Sequence, residues 1–198
     1  MSSYKIKQSD SVYNILVKIS IILFVLFTTW LLFEHFVNRP PELRYYLSGN
    51  TDFKDKRYDS SLKNYLKAYS FDQNDVYIIE GIARSYMELN DFNNSFKYFN
   101  LAIKTDNQFA PAYANLGVLF DRNKDYVNAI KYYEIALRLD NELSTGMHWI
   151  DRLLYDVREK PPTIMDRLNY LNQQMLLSED ERILSIEEIN EKQINFEK

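Results

Sequence analysis

The chain of 198 residues contains no cysteine, two histidines, four glycines and five prolines. Without cysteine there is no thiol nucleophile and no disulfide framework. His35 and His148 alone cannot build a Cys/His zinc site. Gly49, Gly81, Gly117 and Gly146 are too dispersed for a P-loop or a dinucleotide fingerprint. So little turn chemistry argues against a many-stranded sandwich or barrel and for long helices. An excess of basic charge is missing too. The formal net charge is −4, which is no footprint for DNA or RNA. That acidity belongs to the tail: residues 178–198 hold Glu179, Asp180, Glu181, Glu187, Glu188, Glu191 and Glu197 against Arg182, Lys192 and Lys198. Upstream of residue 178 the charges balance, and the tail reads as a solvated terminus.

One hydrophobic run stands out near the amino terminus. Ile19 to Phe33 has no charged residue, and Val12 to Val17 extends the apolar stretch with Lys18 between the two pieces. From Val12 to Phe33 a helix would rise about 33 Å, enough to cross a hydrocarbon core of about 30 Å. Lys18 can snorkel its ammonium to the headgroups, and Tyr13 and Trp30 fall near opposite interfaces. No small-residue cleavage pair follows: the chain continues Glu34-His-Phe-Val-Asn-Arg-Pro-Pro41. Residues 12–37 are therefore expected to be a retained transmembrane anchor, with residues 1–11 as its flank. Lys5, Lys7, Lys18 and the free amine outweigh Arg39 and Arg44. The positive-inside bias then puts the amino terminus in the cytoplasm and the remainder across the membrane, in the periplasm if the cell is bacterial.

Beyond Pro40-Pro41 the sequence repeats with a period of thirty-four. Gly117, Phe120, Tyr126, Ala129, Tyr133 and Ala136 step back without insertion to Ala83, Tyr86, Phe92, Ser95, Phe99 and Ala102. A second step reaches Gly49, Asp52, Tyr58, Ser61, Tyr65 and Ala68. Small stays small and aromatic stays aromatic except at Asp52, where Phe53 is expected to supply the ring. Within the last copy, Tyr113, Leu116, Gly117 and Phe120 share one helical face. Tyr126, Ala129, Ile130, Tyr133, Ala136 and Leu137 share another.

This pattern resembles the tetratricopeptide repeat family: aromatic at position four, Leu-Gly at seven and eight, Tyr at eleven, Ala at twenty, aromatic at twenty-four and Ala at twenty-seven. Residues 110–143 match through Tyr113, Leu116, Gly117, Phe120, Ala129, Tyr133 and Ala136; 76–109 and 42–75 follow. Gln73, Asn107 and Asn141 stand where the family often has proline. The resemblance implies an all-α fold, a short right-handed α-solenoid of three helix pairs (42–75, 76–109, 110–143) behind the transmembrane helix. Ser144 to Arg158 is expected to be a capping helix closing a repeat domain of residues 42–158. A helical acidic extension, 159–198, follows. It holds an amphipathic helix from Thr163 to Leu177 (Ile164, Leu168, Leu171 and Met175 on one stripe) and a short helix opened by a capping box at Ser178–Glu181.

No catalytic constellation is legible. His148 with Asp151, or Asp151 with Glu159, reads as surface pairing, so no enzyme, cofactor, metal or small-molecule substrate is expected. What the family resemblance implies is a concave groove that binds segments of partner proteins. Its groove positions are occupied by Tyr46, Asn50, Phe53 and Lys54, then Tyr77, Glu80, Arg84, Met87 and Glu88, then Ala114, Asn115, Val118, Asp121 and Arg122. Rings, a methionine and both charge signs suit a peptide with apolar anchors. Members that grip the carboxyl-terminal tails of heat-shock chaperones need Lys and Arg where Tyr46, Pro111 and Asn115 stand, so a carboxylate clamp is not expected. The implied function is a membrane-anchored interaction scaffold or assembly factor. The rival readings are a structural subunit of a membrane complex and an organelle receptor with cytosol-facing repeats.

Overall fold

A computed structural model describes residues 3–37, 39–146 and 161–185. Among the described residues the fold is all-helical: α1 (Ser3–Val37), α2 (Pro41–Lys54), α3 (Tyr58–Tyr69), α4 (Val76–Glu88), α5 (Phe92–Thr105), α6 (Ala110–Arg122), α7 (Tyr126–Leu139) and α8 (Ile164–Met175). Pro41 opens α2 and Pro111 sits in the first turn of α6, where a missing N–H costs nothing.

Helices α2 to α7 form three antiparallel pairs, and each pair packs on the next. The repeat is written into the connections as much as into the core. Lys56, Asn90 and Lys124 all have positive φ near 60°, one left-handed residue per pair, although none is glycine. Asp72, Asp106 and Asp140 each accept the N–H two residues on, from Asn74, Gln108 and Glu142. Asp91 and Asp125 cap α5 and α7 by accepting the N–H of Asn94 and Asn128.

Both within a pair and between neighbouring pairs, a large ring lies on a small residue. A methyl group on Gly117 would come within 2.4 Å of the Tyr133 ring, and one on Gly49 or Gly81 within 2.7 Å of the Tyr65 ring. Ser61 Oγ donates to the carbonyl of Gly49 and Ser95 Oγ to that of Ala83, the same bond one repeat apart. Tyr65, Phe99 and Tyr133 are all fully buried.

Where Asp52 interrupts the aromatic pattern, Phe53 does not take the vacant seat. Tyr86 stacks on Tyr98 and Phe120 on Tyr132 in the later pairs, and the equivalent contact in the first is Asn64 donating to Asp52. The Phe53 ring turns instead to Arg84 and to Tyr58, against which it packs edge-on at 5.3 Å. Asp52 also accepts from Arg57.

The antiparallel pairs give the solenoid two edges. The starts of α2, α4 and α6 and the ends of α3, α5 and α7 share the proximal edge, next to the end of α1. There Tyr45 stacks on Phe71 and Tyr77 meets Phe109. The distal edge carries the α2–α3, α4–α5 and α6–α7 turns, and the last two are tied by Arg122 Nη1 donating to Glu88 across one repeat at 2.8 Å.

The expected capping helix falls mainly outside the described residues, as do His148, Asp151 and Glu159. The described part that closes the stack is α8, packed against α7 with Ile164, Leu168 and Leu171 buried. Its capping box is formed by Thr163 and Asp166. The expected helix opened by Ser178 is a single 3-10 turn, Glu179–Glu181, followed by extended chain. The cause is competition for the backbone. Gln174 takes the N–H of Ile183, Tyr170 its carbonyl, and Arg167 the carbonyl of Leu184, so these residues fold back along α8.

Helix α1 is separate in character. Val12–Glu34, 23 residues, is long and apolar enough to cross a membrane, and none of it is buried against the rest of the chain.

Candidate partner-binding groove

The positions expected to line a groove lie on α2, α4 and α6, and the structure divides them into buried and accessible sets, a floor and a rim. Arg84 is the centre of the floor. Its guanidinium pairs with Glu80 one turn earlier at 2.8 Å and lies 4.5 Å from the centre of the Phe53 ring. Glu80 in turn accepts a 2.7 Å bond from the side-chain amide of Asn115. A polar chain therefore runs from α2 through α4 to α6, with Arg84 1%, Glu80 3% and Asn115 0% exposed. An ion pair taken out of water is tolerable only when its remaining donors and acceptors are met, and ring and amide help to do that here. Met87, Ala114 and Val118 are buried in the same surface.

Asp121 closes the floor at the third repeat. Arg167 of α8 donates to both of its carboxylate oxygens at 2.7 Å, and the Tyr133 hydroxyl adds a bond at 3.1 Å. Burial alone would lower the Arg167 pKa, but hydrogen bonding to Asp121 and its negative charge outweigh this and raise it. The guanidinium stays charged. One of its nitrogens, Nη1, is buried without a hydrogen-bond partner among the described residues.

The rim is different. Tyr77, Lys54 and Arg122 are exposed, and Tyr46, Asn50, Phe53 and Glu88 are half-buried. Asn50 accepts from the Tyr65 hydroxyl at 2.6 Å, which ties this rim position to the core of the first pair. The sequence pattern does not contain the burial state of these positions. Glu80 and Arg84 are four apart, a spacing that signals an ion pair, but nothing in the sequence marks that pair as buried. Arg167 was missed altogether as a partner of Asp121, since 46 residues and a chain reversal separate them.

A shallow cleft of about 100 Å³ opens on the distal edge between Met87, Asn90, Phe92, Leu119, Arg122 and Asn123. Among the described residues no three His, Asp or Glu side chains converge as a metal site would require.

Comparison with known proteins agrees with this geometry. Residues 78–109 and 110–143 each match the tetratricopeptide repeat family model, and the chain carries tetratricopeptide repeats there. No curated protein matches the chain. Among solved structures it is similar to the first tetratricopeptide domain of Spaghetti (RPAP3) bound to the HSP90 peptide SRMEEVD (TM-score 0.54, 20% identity, covering 69% of this chain and 94% of that one). It is also similar to the Sgt2 tetratricopeptide domain from Aspergillus fumigatus (0.52, 17%, 75% and 93%). A third similar structure is the Arabidopsis OM64 tetratricopeptide domain (0.50, 20%, 52% and 84%). At these identities the likeness is one of fold. Stacked helix pairs of this kind form extended concave surfaces.

Proposed function

We propose that this chain is a membrane-anchored interaction scaffold or assembly factor, tethered by residues 12–37 and binding segments of partner proteins along α2, α4 and α6. The observation that carries the reading is the pairing of repeat hairpins with an apolar helix that buries nothing against them. Such a helix in water would expose a continuous hydrophobic surface, so a lipid environment is its natural complement.

The partner meets the rim first: Tyr46, Lys54, Tyr77 and Arg122 are reachable without rearrangement, whereas Glu80, Arg84 and Asn115 are engaged only if their network opens. The solved RPAP3 domain holds an acidic peptide. In this chain Glu80 puts a carboxylate on the floor and Asn115 is committed to it, which disfavours an acidic terminus. A segment with aromatic or aliphatic anchors fits better. By the charge bias around α1, the amino terminus is cytoplasmic and the repeats lie across the membrane.

A photo-crosslinking residue at Tyr77, compared with one at Val127 on the distal edge, tests the groove. Adducts specific to Tyr77 in the membrane fraction support it; identical adducts from both sites remove it. Resistance to alkaline carbonate and release by detergent test the anchor, and protease protection of the carboxyl terminus tests the topology.

A further inference from the structure

The proximal edge is not uniform along the solenoid. At the corner made by the start of α2 and the end of α3, Phe71, 51% exposed, stacks on Tyr45 with ring centres 6.0 Å apart, and Leu43 in the first turn of α2 is also exposed. Lys67 places its ammonium 5.4 Å from the Phe71 ring and Arg44 its guanidinium 5.5 Å from the Tyr45 ring. Glu42 and Asp72 flank this corner. The corners further along the edge carry Asp75, Asp106, Asp140 and Glu142, with Lys104 and Arg138 as the basic residues. Among the described residues of this edge, rings with cations over them occur at the corner where the chain leaves α1; the other such contacts lie between α2 and α4 and within α5, α7 and α8. Four backbone steps from Val37 to Pro41 span at most about 15 Å, so this corner cannot lie far from the end of α1.

Resting on the anchored reading above, we propose that the corner of Leu43, Tyr45, Lys67 and Phe71 sits in the headgroup layer of the bilayer that α1 spans, fixing how the repeats stand on the membrane. Aromatic rings prefer that depth, and each lysine or arginine near an anionic leaflet adds attraction that fades within a Debye length. The carboxylates of the later corners are repelled by the same surface. The solenoid therefore touches lipid at its first pair and leans away toward its third.

The test uses full-length protein in vesicles of phosphatidylcholine and phosphatidylglycerol, with Trp30→Phe and Trp149→Phe leaving no native indole. Into this background go Phe71→Trp, Leu43→Trp or, on the distal edge, Val127→Trp, a site 71% exposed. Lipids brominated near the glycerol end of their chains should quench the two proximal reporters about two-fold and leave the distal one unchanged, because an indole in the headgroup layer lies close to bromine. Adding Arg44→Glu with Lys67→Glu should abolish that quenching. If the vesicle-bound protein floats but all three reporters emit alike, the corner does not touch lipid and the proposal is overturned. If the protein does not float, the anchor itself is wrong and the proposal falls with it.

Discussion

Two arginine–aspartate pairs sit near the two ends of the solenoid and look alike in distance. Arg57 meets Asp52 at 2.6 Å in the first pair of helices, and Arg167 meets Asp121 at 2.7 Å at the third. Their surroundings are opposite. The Arg57 side chain is half exposed, and Asp52 raises its pKa chiefly by hydrogen bonding, with Asp55 adding to it. Both partners of the second pair are buried, and three elements converge on it. Near α1, the first pair meets the second through the Ser61–Ser85 hydroxyls, Tyr69 against Tyr98 and the Phe53 ring under Arg84. At its far end the stack is held by a desolvated charge clamp. Equal distances do not mean equal energies.

Breaking the clamp is the sharpest test of that contrast. Arg167→Ala should lower unfolding free energy by about 3–5 kcal/mol, because it strands a buried carboxylate. Arg57→Ala should shift the thermal midpoint by nothing measurable, since water already screens that pair. Replacing both clamp partners together, Asp121→Leu with Arg167→Met, should recover most of the loss. Denaturant unfolding in detergent micelles measures all of these. An Arg167→Ala protein as stable as the parent would show that α8 is not a structural cap.

A smaller difference separates the ring seats. Gly117 supports Tyr133 alone, whereas Gly49 and Gly81 flank the one Tyr65 ring from two helices. Gly117→Ala should destabilise by about 1–3 kcal/mol through overpacking, and Tyr133→Leu in the same chain should return part of it. Gly49→Ala and Gly81→Ala should be strongly non-additive, because both push on the same ring. Additive losses there would mean that Tyr65 can move aside.

These comparisons also show what the sequence could and could not reveal. The hairpins were legible because small and aromatic residues recur every thirty-four positions, and that spacing reports backbone approach directly: Gly117 and Tyr133 are in contact, as the pattern requires. The substitute at Asp52 was not legible: Asn64 bonds Asp52 in the seat that rings fill in the later pairs, and Phe53 lies under Arg84 instead. The left-handed turn residues were not, since Lys56, Asn90 and Lys124 carry no glycine signal and only their period betrays them. Burial of the Glu80–Arg84 pair and the reach of Arg167 to Asp121 depend on which elements come together, a long-range fact that local spacing does not contain. The acidic run at Ser178 looked like a helix start, but side chains of α8 had a stronger claim on the backbone that follows it.

The mildest expected effect concerns how the second helix of each pair begins. Asp91 and Asp125 cap α5 and α7, while Arg57 stands at the equivalent place before α3 and makes no side-chain cap. The Asn94 side-chain amide, and then its backbone N–H, hold the Asp91 carboxyl below the usual carboxylate range. A depressed native pKa means that the stabilisation is fully present above the unfolded value of about 4 and is lost as pH falls through the native value. Asp91→Asn keeps a capping oxygen but cannot titrate. The variant should resemble the parent at neutral pH and show a flatter decline of stability in acid, with the divergence confined to pH below about 5. Arg57→Asp should do the reverse at α3, adding a cap and with it a new acid-dependent slope. Thermal melts across that pH range decide the matter. If Asp91→Asn and the parent fall in parallel, the α5 cap contributes through its shape alone, and the first pair differs from the second in sequence but not in its response to protons.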